Sequence, residues 1–361
     1  MHAAKNGRCV PQWSAPKEIW QIVFMLKGRR GDEGVLSEIW EALFQLCLQI
    51  RLQGETPHMW HRSETVQLPK GNQKVSCSSI RVVHKLEPIG KAYYKQLWEK
   101  RRKLDWAYSY GFTANKRREG AIRQQHCMRW RLRKANKGHV KFLYDVSNAF
   151  PSIAKPALDE VIDLVCIEED RKLMKQRHDN ATMQIIGHGE ERVVLKTGTG
   201  NLQGDTPAPC QFLYGYNGQV IDKWQESCQE RRGGKEMMVT EKQSGMKVDA
   251  SLSAYADDVA KLVLCNNAKE VCQVEAEMDT SMDICLEPLK MAQNRSKKEL
   301  VVHFSGEGCR GEMKKLENQH QPVGKVREVA RYLGNMSHMN GTRQCEHTKK
   351  EKREQEWDGR H

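Results

Sequence analysis

No part of this sequence stays apolar for long. The longest strongly apolar run is Ile22 to Leu26, whereas a membrane-spanning helix needs about 20 apolar residues in a row. A spanning helix is therefore excluded, and no membrane partner is expected. Met1-His-Ala-Ala-Lys5 has no apolar core behind it, so no secretory signal is visible. The 12 cysteines are scattered singly and form no C-x-x-C pair. Such a pattern in a long, basic chain fits a reduced, intracellular protein. Cys345-x-His347 is the nearest approach to a zinc pair and has no second pair to complete it. No internal repeat is present. A chain of 361 residues corresponds to roughly two domains, and it can bury a large core without covalent staples.

What the chain has in excess is positive charge, and it is localised. The formal charge is +13. Between Lys95 and Lys141 there are 15 Lys and Arg against 3 acids, a balance of +12. Trp98, Trp106, Tyr108, Tyr110, Phe112 and Trp130 are interleaved with these cations. Clustered cations neutralise phosphates, and aromatic faces stack on bases. The same composition also describes a solvated helical face with ordinary core aromatics.

Hydrophobic spacing outlines the elements. Leu36, Ile39, Trp40, Leu43, Phe44, Cys47 and Ile50 follow helical spacing, closed by Gly54 and Pro57. Thr65 to Leu68 alternates like a strand, and His139 to Tyr144 reads as a buried strand ending at Asp145. Pro156 opens a helix carrying Leu158, Val161, Ile162 and Val165. Another helix is expected from about Pro209, and Val193 to Leu195 is a strand candidate. Residues 229–250 are polar and Gly-rich and are expected to be an exposed loop. Leu252 to Leu264 reads as two strands joined at Ala256-Asp257-Asp258. Val271, Val274, Met278, Met282, Cys285 and Leu289 mark a further helix, and Val301 to Phe304 a late strand. The expected class is α+β, with helices backing an antiparallel sheet.

Two carboxylate sites carry the chemistry. Asp145 ends an apolar strand, and Asp257 and Asp258 sit at a hairpin tip. Adjacent carboxylates repel each other, so bringing a third close raises a pKa or calls for a cation. Hard divalent cations take oxygen ligands, and a pair of them can activate a hydroxyl and stabilise a leaving phosphate oxygen. Aspartates also occur in turns for their local hydrogen bonds alone.

Phe142-Leu-Tyr-Asp145-Val-Ser-Asn-Ala-Phe150, Asn201-Leu-Gln203-Gly204-Asp205-Thr-Pro207-Ala-Pro209 and Tyr255-Ala-Asp257-Asp258 resemble three successive palm motifs of reverse transcriptases. Pro57 to Trp60, Val66 to Asn72 with Lys70, and Ile80-Arg81 are similar to the fingers of non-LTR (LINE-type) retrotransposon enzymes. So is Tyr110-Gly-Phe112 with Arg117-Arg118. Asn294-Arg-Ser-Lys297 resembles their N-x-x-K motif, and Tyr332-Leu333-Gly334 the segment that grips the primer. The likeness covers about residues 57–335. It departs from the pattern at Thr206, Ala208 and Cys210.

The resemblance implies a right-hand polymerase fold of fingers and palm with the thumb largely missing. The implied division is a helical extension over 1–56, fingers over 57–140, palm over 141–305, a primer-grip segment over 306–340 and a polar tail over 341–361. It implies RNA-directed DNA polymerase activity, with Asp145, Asp257 and Asp258 holding two Mg²⁺ ions (Mn²⁺ the alternative). Lys297 would protonate the leaving pyrophosphate. Lys70, Arg81, Phe150, Gln203 and Gly204 would hold the dNTP, with Phe150 as the gate against a ribose 2′-hydroxyl. Arg117, Arg118, Arg129, Arg131, Arg133 and Tyr332 to Gly334 would bind the RNA template and DNA primer. The resemblance also implies a nuclear location and companion retroelement domains such as an endonuclease. Two other functions remain open at this point: a remnant that binds nucleic acid without catalysis, and an RNA-directed RNA polymerase.

Overall fold

The structure is a computed structural model; it describes residues 9–26, 35–69, 80–186, 191–232, 237–240, 245, 247–318, 325–327 and 329–338. In chain order the elements are α1 (Lys17–Leu26), α2 (Val35–Gln53), α3 (His58–His61), β1 (Arg62–Pro69), β2 (Ile80–Leu86), α4 (Pro88–Glu99), α5 (Arg118–Lys134), β3 (His139–Tyr144), α6 (Ala149–Ser152), α7 (Lys155–Val165) and α8 (Glu168–Asp179). These are followed by β4 (Thr182–Ile186), β5 (Arg192–Lys196), α9 (Ala208–Gly215), a π-helical turn (Tyr216–Ile221) and α10 (Asp222–Arg232). The chain then runs through β6 (Met238–Thr240), β7 (Lys247–Asp249), β8 (Leu252–Tyr255), β9 (Asp258–Leu264) and α11 (Ala268–Leu286). Last come β10 (Glu299–His303), α12 (Cys309–Asn318), β11 (Lys325–Val326), β12 (Val329–Tyr332) and β13 (Asn335–His338). The class is α+β, as the spacing predicts. No helix among the described residues is long and apolar enough to cross a membrane.

Two compact units share the chain. One is built from Met1–Leu104 and Phe150–Gly215, the other from Asp105–Ala149 and Tyr216–His361. The first holds a four-stranded sheet ordered β2-β1-β4-β5, antiparallel except for the β1–β4 pair. Its helices start where the sequence supplies the signals. Pro88 opens α4 behind Glu87, whose side chain accepts the Gly90 N–H. Pro156 does the same for α7, which buries Leu158, Val161, Ile162 and Val165. Arg177, at the end of α8, is buried and holds Asp205 at 2.7 Å.

The second unit holds a five-stranded sheet ordered β11-β10-β3-β9-β8, antiparallel except at β10–β11. The central strand β3 is buried along its whole length because both of its faces are covered. Leu143 packs with Ala121 of α5, Ala260, Val301, Ala330 and Tyr332 on one side. Tyr144 meets Trp224 of α10 edge-on, with ring centroids 5.3 Å apart. That double cover is why the run from His139 to Tyr144 lacks the alternation of a half-exposed strand. The helix α11 starts on a reciprocal cap: Asn267 accepts the Glu270 N–H at 2.9 Å, and Glu270 accepts the Asn266 N–H at 2.8 Å.

The loop expected over 229–250 is corrected. α10 runs on to Arg232, and β6 and β7 pair as a short hairpin, Met238↔Asp249 to Thr240↔Lys247. The pairing depends on Asp249, whose buried carboxylate takes Lys261 of β9 at 2.7 Å, a long-range contact that local composition does not encode. The polar tail from residue 341 lies outside the described residues.

Candidate active site

The site is built at one end of the five-stranded sheet. Asp145 follows directly on β3, and Asp258 is the first residue of β9. These two strands pair antiparallel, with Tyr144 opposite Val259. Consecutive residues of one strand thus bring Asp145 next to the Asp257–Asp258 tip. The β8–β9 turn is only Ala256-Asp257, closed by the Tyr255↔Asp258 pair. Ala256 carries φ +56°, the first central position of a turn that normally takes glycine there.

The strained tip is held from outside. The segment before α5 runs along β8: Tyr110 N–H donates to Ala254 O, and Ala254 N–H to Tyr108 O, each at 2.8 Å. Gly111 then passes so close to the tip that a Cβ on it would lie 2.3 Å from Ala256 N. Only glycine fits such an approach. Tyr110-Gly-Phe112 is thus a buttress of the aspartate hairpin, a role that nothing local in its sequence signals.

A second segment buttresses Asp145. Asn294 N–H donates to Asp145 O at 2.8 Å, and Ser147 N–H to Ala292 O at 2.9 Å. The 3₁₀ turn Arg295–Lys297 then carries the exposed Lys297 ammonium to Asp145 Oδ2 at 3.0 Å. The next residue does something different. Lys298 turns inward and is held by Glu275 at 2.8 Å and Asp279 at 2.5 Å, both on α11. Two adjacent lysines look alike in sequence, yet one reaches the site and the other anchors its loop.

The electrostatics follow from this geometry. Burial, then Asp257 and Asp145, push the Asp258 carboxyl up to about 6, with Lys297 opposing. Asp257 is raised by burial and by Asp145, against its own backbone hydrogen bond and Lys297. The fully buried phenol of Tyr216 is raised by burial and by all three aspartates. Three mutually repelling oxygen donors in a partly dry corner suit a hard divalent cation, which relieves the repulsion that otherwise protonates one of them. The donors are of the oxygen type that magnesium takes, although among the described residues these three carboxylates are not gathered within 4.8 Å of one another.

The remaining residues singled out from the sequence divide between the two units. In the first unit, Arg81 is exposed on β2, opposite Leu68. Phe150 stacks on Phe212 with ring centroids 4.4 Å apart. Gln203 O accepts the His84 N–H at 2.9 Å. Gly204 has φ +114°, and a Cβ there would lie 2.7 Å from His84 O, so its backbone hugs β2. Lys70 lies outside the described residues.

In the second unit, Arg117 and Arg118 are exposed at the start of α5. The three arginines of α5 singled out from the sequence differ in burial. Residues two apart on a helix point to different sides. Arg131 is exposed, Arg133 half-buried and Arg129 only 5% exposed. Burial, with Arg133 adding to it, lowers the Arg129 guanidinium to about 10. Tyr332 is also inward: its hydroxyl meets Ser253 Oγ at 3.0 Å, and Lys141 Nζ lies 4.4 Å from its ring centre. Leu333 and Gly334, both at positive φ, form the β12–β13 turn beside it; Leu333 packs against the same core cluster and Gly334 is exposed.

No protein-family model matches the chain, and no curated protein matches it. Among solved structures, it is similar to apo telomerase from Candida tropicalis truncated from its C-terminal domain, at 12% identity, over 84% of this chain and 59% of that one, with a TM-score of 0.48. Apo telomerase from the same organism is similar at 11% identity, over 84% and 52%, with a TM-score of 0.49. Candida tropicalis telomerase in complex with a TWJ fragment of telomeric RNA is similar at 12% identity, over 73% and 45%, with a TM-score of 0.44. The chain spans about half the length of these solved chains, from 45% to 59%.

Proposed function

We propose that this chain is an RNA-directed DNA polymerase domain of the non-LTR retrotransposon type, adding dNTPs to a DNA primer on an RNA template. The observation that carries the reading is the meeting of Asp145 with the Asp257–Asp258 tip through the β3–β9 pairing. Asp145, Asp257 and Asp258 hold the two magnesium ions. When bound, such ions make the primer 3′-hydroxyl a better nucleophile and offset charge on the leaving phosphate oxygens.

The chain's own part is positioning. Gly111 and the backbone of Tyr108 and Tyr110 keep the hairpin tip in place, and Asn294 fixes the end of β3. Lys297, with its ammonium 3.0 Å from Asp145 Oδ2, supplies a mobile positive charge and a proton for the departing pyrophosphate. Arg81 offers a bidentate fork to a phosphate. Phe150, braced by Phe212, sets the bulk that a ribose 2′-hydroxyl must avoid. Gln203 and Gly204 contact the templating pair, and Arg117, Arg118 and Arg131 hold nucleic-acid phosphates. A nuclear location accompanies this reading through the resemblance.

Primer extension on an RNA template with Mg²⁺ tests it. Incorporation of dNTPs by the parent and none by Asp257→Ala is the expected result. Template binding without incorporation in both would replace the reading with a non-catalytic nucleic-acid-binding remnant. Preferential use of rNTPs would replace it with an RNA polymerase.

A further inference from the structure

A second cluster of ligand-type side chains lies in the first unit, on elements that the proposed polymerase chemistry does not use. Asp159 on α7 meets His178 and Asp179, the last two residues of α8. One ligand atom from each lies within 4.8 Å of the other two. His178 Nε2 is 2.9 Å from Asp159 Oδ1 and 3.7 Å from Asp179 Oδ1. Two surface carboxylates alone would mean little. What distinguishes the group is a histidine only 3% exposed, whose Nε2 is directed between both of them.

We propose that Asp159, His178 and Asp179 form a binding site for a borderline divalent cation of the zinc class, with water as the fourth ligand. Three observations carry it. The first is distance. Zinc bonds of about 2.1 Å to nitrogen and oxygen put tetrahedral ligands about 3.4 Å apart, and the two His178 separations, 2.9 and 3.7 Å, bracket that edge. The second is donor type. One imidazole with two carboxylates suits zinc, cobalt or manganese better than magnesium, which favours oxygen alone. The third is the local field. Asp179 ends a 12-residue helix, where the macrodipole is negative and an acidic residue is disfavoured unless a cation answers it.

The corner already attracts one cation. Lys155 Nζ reaches Asp179 O at 3.5 Å, and Lys155 is influenced by Asp179, Lys196 and Asp159 after its burial. Its hydrogen bond in the corner goes to that carbonyl, and both carboxylates draw its charge. Asp159 and Asp179 are 31% and 49% exposed, so Asp159 can open and Asp179 can close onto that edge, and water can reach the open position. The ion ties α7 to the end of α8, just ahead of β4. The site stands whether or not the chain polymerises.

Titration of the full chain with Zn²⁺, and with Co²⁺ read by visible absorption, tests the proposal. The parent is expected to bind one equivalent, beyond any taken by the aspartate site, that Asp179→Asn weakens at least tenfold and that Asp257→Ala leaves in place. The Co²⁺ form should show tetrahedral bands without the near-ultraviolet charge transfer of a thiolate ligand, which separates it from binding at cysteines. Zn²⁺ affinity and stoichiometry equal in the parent and Asp179→Asn would overturn the site and leave a plain His–Asp ion pair. His178→Asn should behave like Asp179→Asn; if it fails to fold, the exposed Asp179 substitution decides.

Discussion

Unfolding of the second unit should become markedly easier in mild acid, and one residue accounts for a separable share. His139 is fully buried at the start of β3, its ring 5.1 Å from that of His303 and its Nδ1 3.1 Å from Lys137 O. Burial first, then Arg129, His303 and Arg133, lower its pKa from 6.5 to about 3. The folded chain therefore keeps this imidazole neutral, while the unfolded chain takes up a proton once the pH falls below 6.5. The stability it contributes is fully present above that value and is lost progressively toward pH 3. Between pH 7 and pH 5 the loss is about 2 kcal/mol, since one pKa unit is worth about 1.4 kcal/mol. Urea unfolding of the parent and of His139→Leu at both pH values isolates the effect. Leucine does not titrate, so the pH 7-to-5 difference should shrink by about 2 kcal/mol, whatever the substitution costs at pH 7. Other titrating groups, such as Asp258, are common to both chains and cancel. An unchanged pH dependence would show that His139 is protonated in the folded state and that this part of the sheet is wet.

Three further outcomes are expected. Lys298→Met strands Glu275 and Asp279 without their buried cation and should cost about 3–5 kcal/mol, read as a lower urea midpoint; a neutral effect would mean that water reaches α11. Phe150→Ala should raise ribonucleotide incorporation relative to dNTPs in a competition assay, because it removes the ring braced 4.4 Å from Phe212; unchanged sugar discrimination would remove Phe150 as the gate. Arg131→Ala should flatten the slope of log affinity against log salt by about 0.7–0.9, whereas Arg129→Ala, 5% exposed, should act on stability and leave that slope alone.

Features set by local spacing were legible in the sequence. The apolar run of β3, the β8–β9 hairpin around Asp257 and Asp258, the α11 stripe and the Pro-opened α7 all lie where hydrophobic period and turn residues put them. Contacts between distant segments were not legible. Gly111 is a glycine because of Ala256, and the two stand 145 positions apart. The β6–β7 hairpin hides in a polar, glycine-rich stretch because Lys261 of β9 anchors its Asp249. Charge is a poor guide to exposure where a partner or a ring is supplied from elsewhere: Lys141, Lys298 and Arg129 are all buried. The alternation of stretches between the two units is equally invisible to composition, because the boundary at Ala149–Phe150 falls inside one short helix.

Lys297 and Lys298 are neighbours on a single tight turn, one gripped by α11 and the other resting on Asp145. Mechanical slack introduced on the rear of the sheet therefore has a direct route to the front. A change at Glu275 or Asp279, remote from any phosphate, would loosen the loop's inner anchor and let its outer lysine wander. On the proposed reading, substitutions that lower activity should accordingly surface at Glu275 and Asp279 of α11, the inner anchors of Lys298.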